Sequence, residues 1–115
     1  MGRLTTHVLD TAAGKPAAGM TVEVYRIGAT DERVAAATTN ADGRVDKPLL
    51  EGDALTAGVY ELRFHAGDYL SAEHAVARPS FLDVVPIRFG VAAPDQHYHV
   101  PLLLSPHGYS TYRGS

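Results

Sequence analysis

Apolar residues recur at every second position in most segments of the chain that have a period at all. Tyr60, Leu62 and Phe64 alternate with Glu61, Arg63 and His65, and Met20, Val22 and Val24 alternate with Thr21, Glu23 and Tyr25. Asp83, Val85, Ile87, Phe89 and Val91 are set against Val84, Pro86 and Arg88 in the same way. Successive side chains of a strand leave opposite faces, so this period predicts antiparallel strands buried on one side. Residues 3–9, 33–39, 97–104 and 109–113 are four further strand candidates. Turn-forming residues interrupt them at 13–16, 40–43, 51–53, 93–95 and 105–108, where Gly, Pro, Asn and Asp cluster. Short strands at such intervals predict an all-β fold, a two-sheet sandwich. The alanine-rich stretch AGDYLSAEHAVA at 66–77 stops before Arg78-Pro79 and predicts one short helix.

Composition adds bounds to that picture. With 115 residues, 45% hydrophobic and 20% charged, the chain has the make-up of one folded domain spanning 1–115. It contains no cysteine, which excludes disulfides, thiolate-bound zinc and a cysteine nucleophile. The net charge is -3 and the ten basic residues are scattered, so a nucleic-acid partner gains no support. No window approaches the roughly 20 apolar residues that span a bilayer, and the polar start does not read as a secretory signal. The expectation is a cytoplasmic protein with no membrane partner.

Sorting the strand candidates by face brings out the chemistry. In 97–104, Tyr98, Val100, Leu102 and Leu104 share the core face, while His97, His99, Pro101 and Leu103 share the other. In 3–9, Leu4, Thr6 and Val8 point inward, and Thr5, His7 and Leu9 outward. Imidazoles in apolar company on an outer face suggest a surface covered by a second subunit, with a cleft between the two. Pro101 cannot donate to a ladder and implies an edge or an irregularity there.

Two chemistries fit such a face. His97 and His99 leave it about 6.5 Å apart by strand rise, a spacing that zinc sites use when a third ligand such as His7 joins. Alternatively, an imidazole titrating near neutral pH activates water without a metal. Arg44, just after the Asp42-Gly43 turn, then supplies a permanent cation for an anionic substrate or a developing oxyanion. Spacing alone leaves both open.

Along nearly its whole length the chain resembles the transthyretin-related 5-hydroxyisourate hydrolases. The resemblance is carried by THVLDTAAGKPAAGM at 6–20, DGR at 42–44, FLDVVPIRFGV at 81–91 and the closing HYHVPLLLSPHGYSTYRGS at 97–115. The final YRGS is the most specific element, since the hormone-carrying transthyretins lack it, and they have lysine where this chain has His7. The resemblance implies a transthyretin-like sandwich of about eight strands with one short helix, assembled as a homotetramer with active sites at subunit interfaces. It implies hydrolytic ring opening of 5-hydroxyisourate, with no cofactor, to 2-oxo-4-hydroxy-4-carboxy-5-ureidoimidazoline on the route from urate to allantoin.

By the same resemblance, His7, Arg44, His99 and Ser115 are the catalytic residues, and Tyr112, Arg113 and Gly114 join His7, Arg44 and His99 in holding the substrate. Tyr112 narrows a channel that is open in the carriers, and His97 has a supporting role. The rival readings are a carrier of a small aromatic ligand and a zinc-binding module. Two stretches depart from the family pattern: His107, where an aromatic residue is usual, and an irregular 71–80. His65, His74 and His107 read as surface histidines without a part in the chemistry.

Overall fold

The computed structural model describes residues 1–114; Ser115 lies outside the described residues. Two layers pack face to face. The first is an antiparallel sheet in the order β5-β4-β7-β8, formed by β4 (Thr21–Ile27), β5 (Glu32–Thr38), β7 (Gly58–His65) and β8 (Val84–Val91). The second is split along its length. Its one half has the order β6-β1-β9, from β1 (Arg3–Thr5), β6 (Leu50–Glu51) and β9 (His97–His99); its other half has the order β11-β10-β2-β3, from β2 (Val8–Asp10), β3 (Lys15–Pro16), β10 (Leu102–Ser105) and β11 (Gly108–Thr111).

The split has a local cause. β1 and β2 are one extended run, as are β9 and β10, and the parallel register is the same on both sides of the gap: Leu4 faces Tyr98, and Val8 faces Leu102. Backbone bonds bridge the gap from Val100 to the Thr5 carbonyl at 2.9 Å and from Leu102 to the His7 carbonyl at 2.9 Å. Pro101 stands between these two donors and has no N–H to add a rung. The irregularity expected from Pro101 is therefore present, and it falls beside His7. Breaking two of the seven strand candidates, and adding the two-residue strands β3 and β6, gives eleven strands among the described residues, where the resemblance implied about eight.

The core follows the period of two. Met20, Val22, Val24, Tyr60, Leu62, Phe64 and Val85 of the first layer are buried against Leu4, Val8, Tyr98, Val100, Leu102 and Leu104 of the second. Burying this apolar surface is the main stabilising contribution to the sandwich. The helix α1 (Ala66–His74) continues directly from β7 and is three residues shorter than the alanine-rich stretch predicted. It stops where Ala75 adopts a left-handed conformation, φ 51°.

Asp10, whose side chain is fully buried, ties α1 to β2. Its carboxylate accepts from the Tyr69 hydroxyl at 2.7 Å, from His74 at 2.7 Å and from the Ala13 N–H at 2.9 Å. Burial alone pushes the Asp10 carboxyl up, but these donors outweigh it and hold the group below the usual carboxylate range. His65 likewise meets Glu23 at 2.7 Å. His65 and His74 are thus half-buried partners of carboxylates rather than free surface groups, whereas His107 is exposed beside Phe81.

Candidate active site

The gap in the second layer is where the chemistry collects. Alternation turns Leu4, Thr6 and Val8 into the core and leaves Thr5 and His7 facing out, as the period required. Thr6, buried among apolar side chains, satisfies its hydroxyl by donating to the Val100 carbonyl at 2.6 Å. The parallel register of β1 and β9 places Thr5 opposite His99 and Arg3 opposite His97. Outward side chains of both runs consequently meet over one face.

They meet closely. His7 Nδ1 is 2.7 Å from His99 Nε2, with the rings stacked at a centroid separation of 4.9 Å. The other nitrogen of His99, Nδ1, is 2.7 Å from Thr5 Oγ1, and the same hydroxyl oxygen is 2.7 Å from His97 Nε2. His99 is only 8% exposed although it lies on the outer face, because the chain's end folds back over it.

Arg44 arrives by a turn. Asn40 Oδ1 accepts from the backbone N–H groups of Asp42 and Arg44, and Gly43 takes a left-handed φ of 73°. A Cβ at Gly43 would run into the Val8 carbonyl oxygen. That close approach lets Val8 donate to the Gly43 carbonyl at 2.8 Å and sets Arg44 across from His7 as an isolated bridge. The Arg44 side chain is exposed and makes no hydrogen bond or ion pair among the described residues, so its charge is open to a ligand.

The tail forms the opposite wall. After β11, Gly114 donates to the His99 carbonyl at 2.7 Å, and a Cβ at Gly114 would lie 2.6 Å from His99 Cδ2. Only glycine can pack against that ring. Arg113 turns the other way: its guanidinium lies 4.1 Å from the Tyr98 ring centroid and donates to the Gln96 side chain and the His97 carbonyl. A cleft of about 410 Å³ results, bounded by His7, Arg44, His97, His99, Tyr112 and Gly114, with Arg3, Thr5, Thr6 and Val45 completing the wall.

Of the residues singled out in the sequence, His7, Arg44, His99, Tyr112 and Gly114 come together here, and His97 with them. Arg113 does not line this cleft; it pins the tail from behind. Ser115 falls outside the described residues. Thr5 was missed. Its signal was the shared outward face with His7, but only the parallel pairing of β1 with β9 reveals that it touches two histidines.

Electrostatics favour neutral rings. Burial, reinforced by the Arg44 charge, lowers the pKa of His7. Burial, then His7, Arg44 and His97, push that of His99 down to about 4. Two neutral imidazoles beside a guanidinium with no partner among the described residues can take a proton from water and steady the negative charge that develops when it attacks a carbonyl. The geometry suits zinc poorly. The facing nitrogens of His7 and His99 are 2.7 Å apart, nearer than the roughly 3.3 Å between two nitrogens on a tetrahedral zinc ion. Among the described residues, no group of three or more His, Cys, Asp or Glu side chains is arranged to hold a metal.

Comparison with known proteins gives this arrangement its context. The family model described as the HIUase/Transthyretin family matches residues 4–114. The chain belongs to that family. It is 60% identical over 116 residues to a protein named 5-hydroxyisourate hydrolase 2 from Rhizobium meliloti (strain 1021), covering 99% of this chain and 97% of the relative. Among solved structures, it is similar to Klebsiella pneumoniae 5-hydroxyisourate hydrolase, with a TM-score of 0.84 and 37% identity over all of both chains. It also matches an (S)-allantoin synthase, with a TM-score of 0.92 and 44% identity over 99% of this chain. This chain spans 44% of that longer one.

Proposed function

We propose that this member of the HIUase/transthyretin family is a 5-hydroxyisourate hydrolase, a hydrolase that opens the six-membered ring of its substrate at the N1–C6 amide. The observation that carries the reading is the His7–His99 pair at 2.7 Å beside the exposed Arg44 in a cleft of about 410 Å³. The product is 2-oxo-4-hydroxy-4-carboxy-5-ureidoimidazoline. Full-length identity of 60% to a protein of that name supports the assignment.

In this reading the imidazole pair receives the proton of the attacking water, and Arg44 holds the substrate oxygens that carry negative charge. Tyr112 and Gly114 close the pocket, Arg113 holds the tail in place from outside it, and Ser115 keeps the catalytic role that the family resemblance implies. Holding water and carbonyl in contact within a walled cleft removes much of the entropy that the reaction pays in solution.

The working particle is a homotetramer with its active sites at subunit interfaces. Two observations support a partner. β8 and β11 are both open sheet edges, and a cavity of about 400 Å³ lined by Ile87, Phe89, Thr111 and Tyr112 lies between them. Phe81, Val84, Tyr109 and Tyr112 are large apolar side chains left exposed, at 75%, 40%, 45% and 56%. Open edges and exposed apolar groups of this kind favour association.

The test is the absorbance of freshly generated 5-hydroxyisourate with and without the protein. The expected result is a faster decay with protein, unchanged by chelator. Decay at the buffer rate refutes the hydrolase reading, and a rate that collapses on chelation favours the zinc alternative.

A further inference from the structure

We propose that Thr5 and His97 are positioning residues that, through one hydrogen-bonded chain, fix which nitrogen of His7 is basic and receive the proton that His7 takes from water. The proposal rests on the hydrolase reading above. Three successive contacts of 2.7 Å form the chain: His7 Nδ1 to His99 Nε2, His99 Nδ1 to Thr5 Oγ1, and Thr5 Oγ1 to His97 Nε2.

Counting hydrogens decides what the chain can do. A neutral imidazole carries one N–H and a hydroxyl one O–H, so each interior member has one hydrogen to place. If His7 donates to His99, then His99 must donate to Thr5, and the Thr5 oxygen, which has two lone pairs, either gives its own hydrogen to His97 or accepts a second one from it. If His99 donates to His7 instead, its Nδ1 is bare, Thr5 must donate to it, and His97 must donate to Thr5. A proton passes from end to end only through an arrangement in which every hydrogen points the same way, and the relay starts from the one in which His7 donates and Thr5 donates to His97.

The first arrangement leaves His7 Nε2 bare, as a base requires. The second leaves it protonated, as an acid requires. Without the Thr5 hydroxyl, His99 Nδ1 loses its hydrogen-bond partner and the link from His99 to His97 is broken.

Conversion of one into the other balances as a single proton transfer. Water loses a proton to His7 Nε2; His7 Nδ1–H passes to His99 Nε2, His99 Nδ1–H to Thr5 Oγ1, and the Thr5 hydrogen to His97 Nε2. The hydroxide oxygen bonds to the substrate carbonyl carbon, and His97 becomes an imidazolium. As the carbon–nitrogen bond breaks, the chain runs back, and His7 Nε2–H protonates the departing ring nitrogen.

The positive charge is thereby carried away from the buried His99 to His97, which is half-buried. The charged groups facing the cleft are Arg3 and Arg44, Arg113 donates to the His97 backbone, and no carboxylate lines the cleft among the described residues. A carboxylate partner that could steady an imidazolium at His7 is therefore missing from the described wall.

The test compares Thr5→Val, which keeps the branched strand-compatible shape, with Thr5→Ser, which keeps the hydroxyl. Expected for Thr5→Val is a loss of about 100-fold in kcat with KM nearly unchanged, while Thr5→Ser stays within about threefold of the parent. Nitrogen NMR of the resting parent protein at neutral pH is expected to show the hydrogen of His7 on Nδ1 and that of His97 on Nδ1. In Thr5→Val the His99 hydrogen is expected to divide between its two nitrogens.

Wild-type kcat in folded Thr5→Val, or a resting His7 with its hydrogen on Nε2, overturns the proposal. If Thr5→Val does not fold, the spectrum of the parent and the activity of Thr5→Ser still decide it. If the parent protein fails to hydrolyse 5-hydroxyisourate, the functional reading falls, whereas the NMR result judges the hydrogen-bonded chain by itself.

Discussion

Acidification combined with Arg44→Gln probes the imidazole pair directly. Burial is the largest cause holding the pKa of His99 at about 4, followed by the charges of His7, Arg44 and His97. Against an ordinary value near 6.5, that displacement favours the neutral ring by about 3 kcal/mol. At pH 6 about one His99 ring in a hundred is then charged. Because burial and Arg44 lower the pKa of His7 as well, activity of the parent should hold below pH 6.5 and fail only as His7 and His99 acquire protons.

Arg44 is the second cause at His7 and the third at His99, behind burial in both. Its removal makes protonation easier, so the acid limb of kcat/KM moves upward in Arg44→Gln, by less than about one pH unit. The plateau should fall about 100-fold as well, because the cation facing the developing oxyanion is gone. Initial rates between about pH 4 and 8, with proton NMR titration of the histidines, measure both effects. A parent acid limb at or above pH 6.5, or a limb that moves downward in the variant, refutes the reasoning.

Stability follows with the same sign. The unfolded chain binds the proton near pH 6.5 and the folded one only near 4, so this contribution is intact above 6.5 and is lost as pH falls through that window.

Three other outcomes follow from the geometry. Gly114→Ala brings a Cβ to within 2.6 Å of His99 Cδ2; kcat/KM is expected to fall about tenfold or more, with little change in Tm by calorimetry. Tyr69→Phe removes one of three donors to the buried Asp10 carboxylate; it should cost about 2 kcal/mol, lowering Tm by roughly 8 °C, while activity at room temperature persists. Deleting residues 112–115 should leave a folded sandwich by circular dichroism and abolish hydrolysis; retained turnover would remove the tail from the site.

Much of the site was legible before any coordinates, for a simple reason. A strand's period of two sorts side chains by face from sequence alone, so His7, His97 and His99 could be set outside while Leu4, Val8, Tyr98 and Leu102 were set inside. Arg44 was legible through its turn, because Asn40 and Gly43 have few other uses in such a spacing. The tail was legible through resemblance rather than physics: nothing in the residue types at 112–114 says that Gly114 packs against His99.

What escaped the sequence was long-range pairing. Thr5 is one of many outward threonines until β1 is laid parallel to β9, and Arg113 looks like a ligand-binding cation until its guanidinium is seen against Tyr98. The extent of the helix was overestimated because alanine favours helix wherever it stands, while the chain actually leaves at His74 through a left-handed Ala75.

By itself the sequence determined which face each side chain takes, since alternation is a property of a single strand, and hence that the imidazoles stand outside the core. The tertiary structure decided which of those outward groups touch. Contact depends on register between segments some ninety residues apart, and register is set by how two whole layers bury their apolar faces rather than by any local pattern.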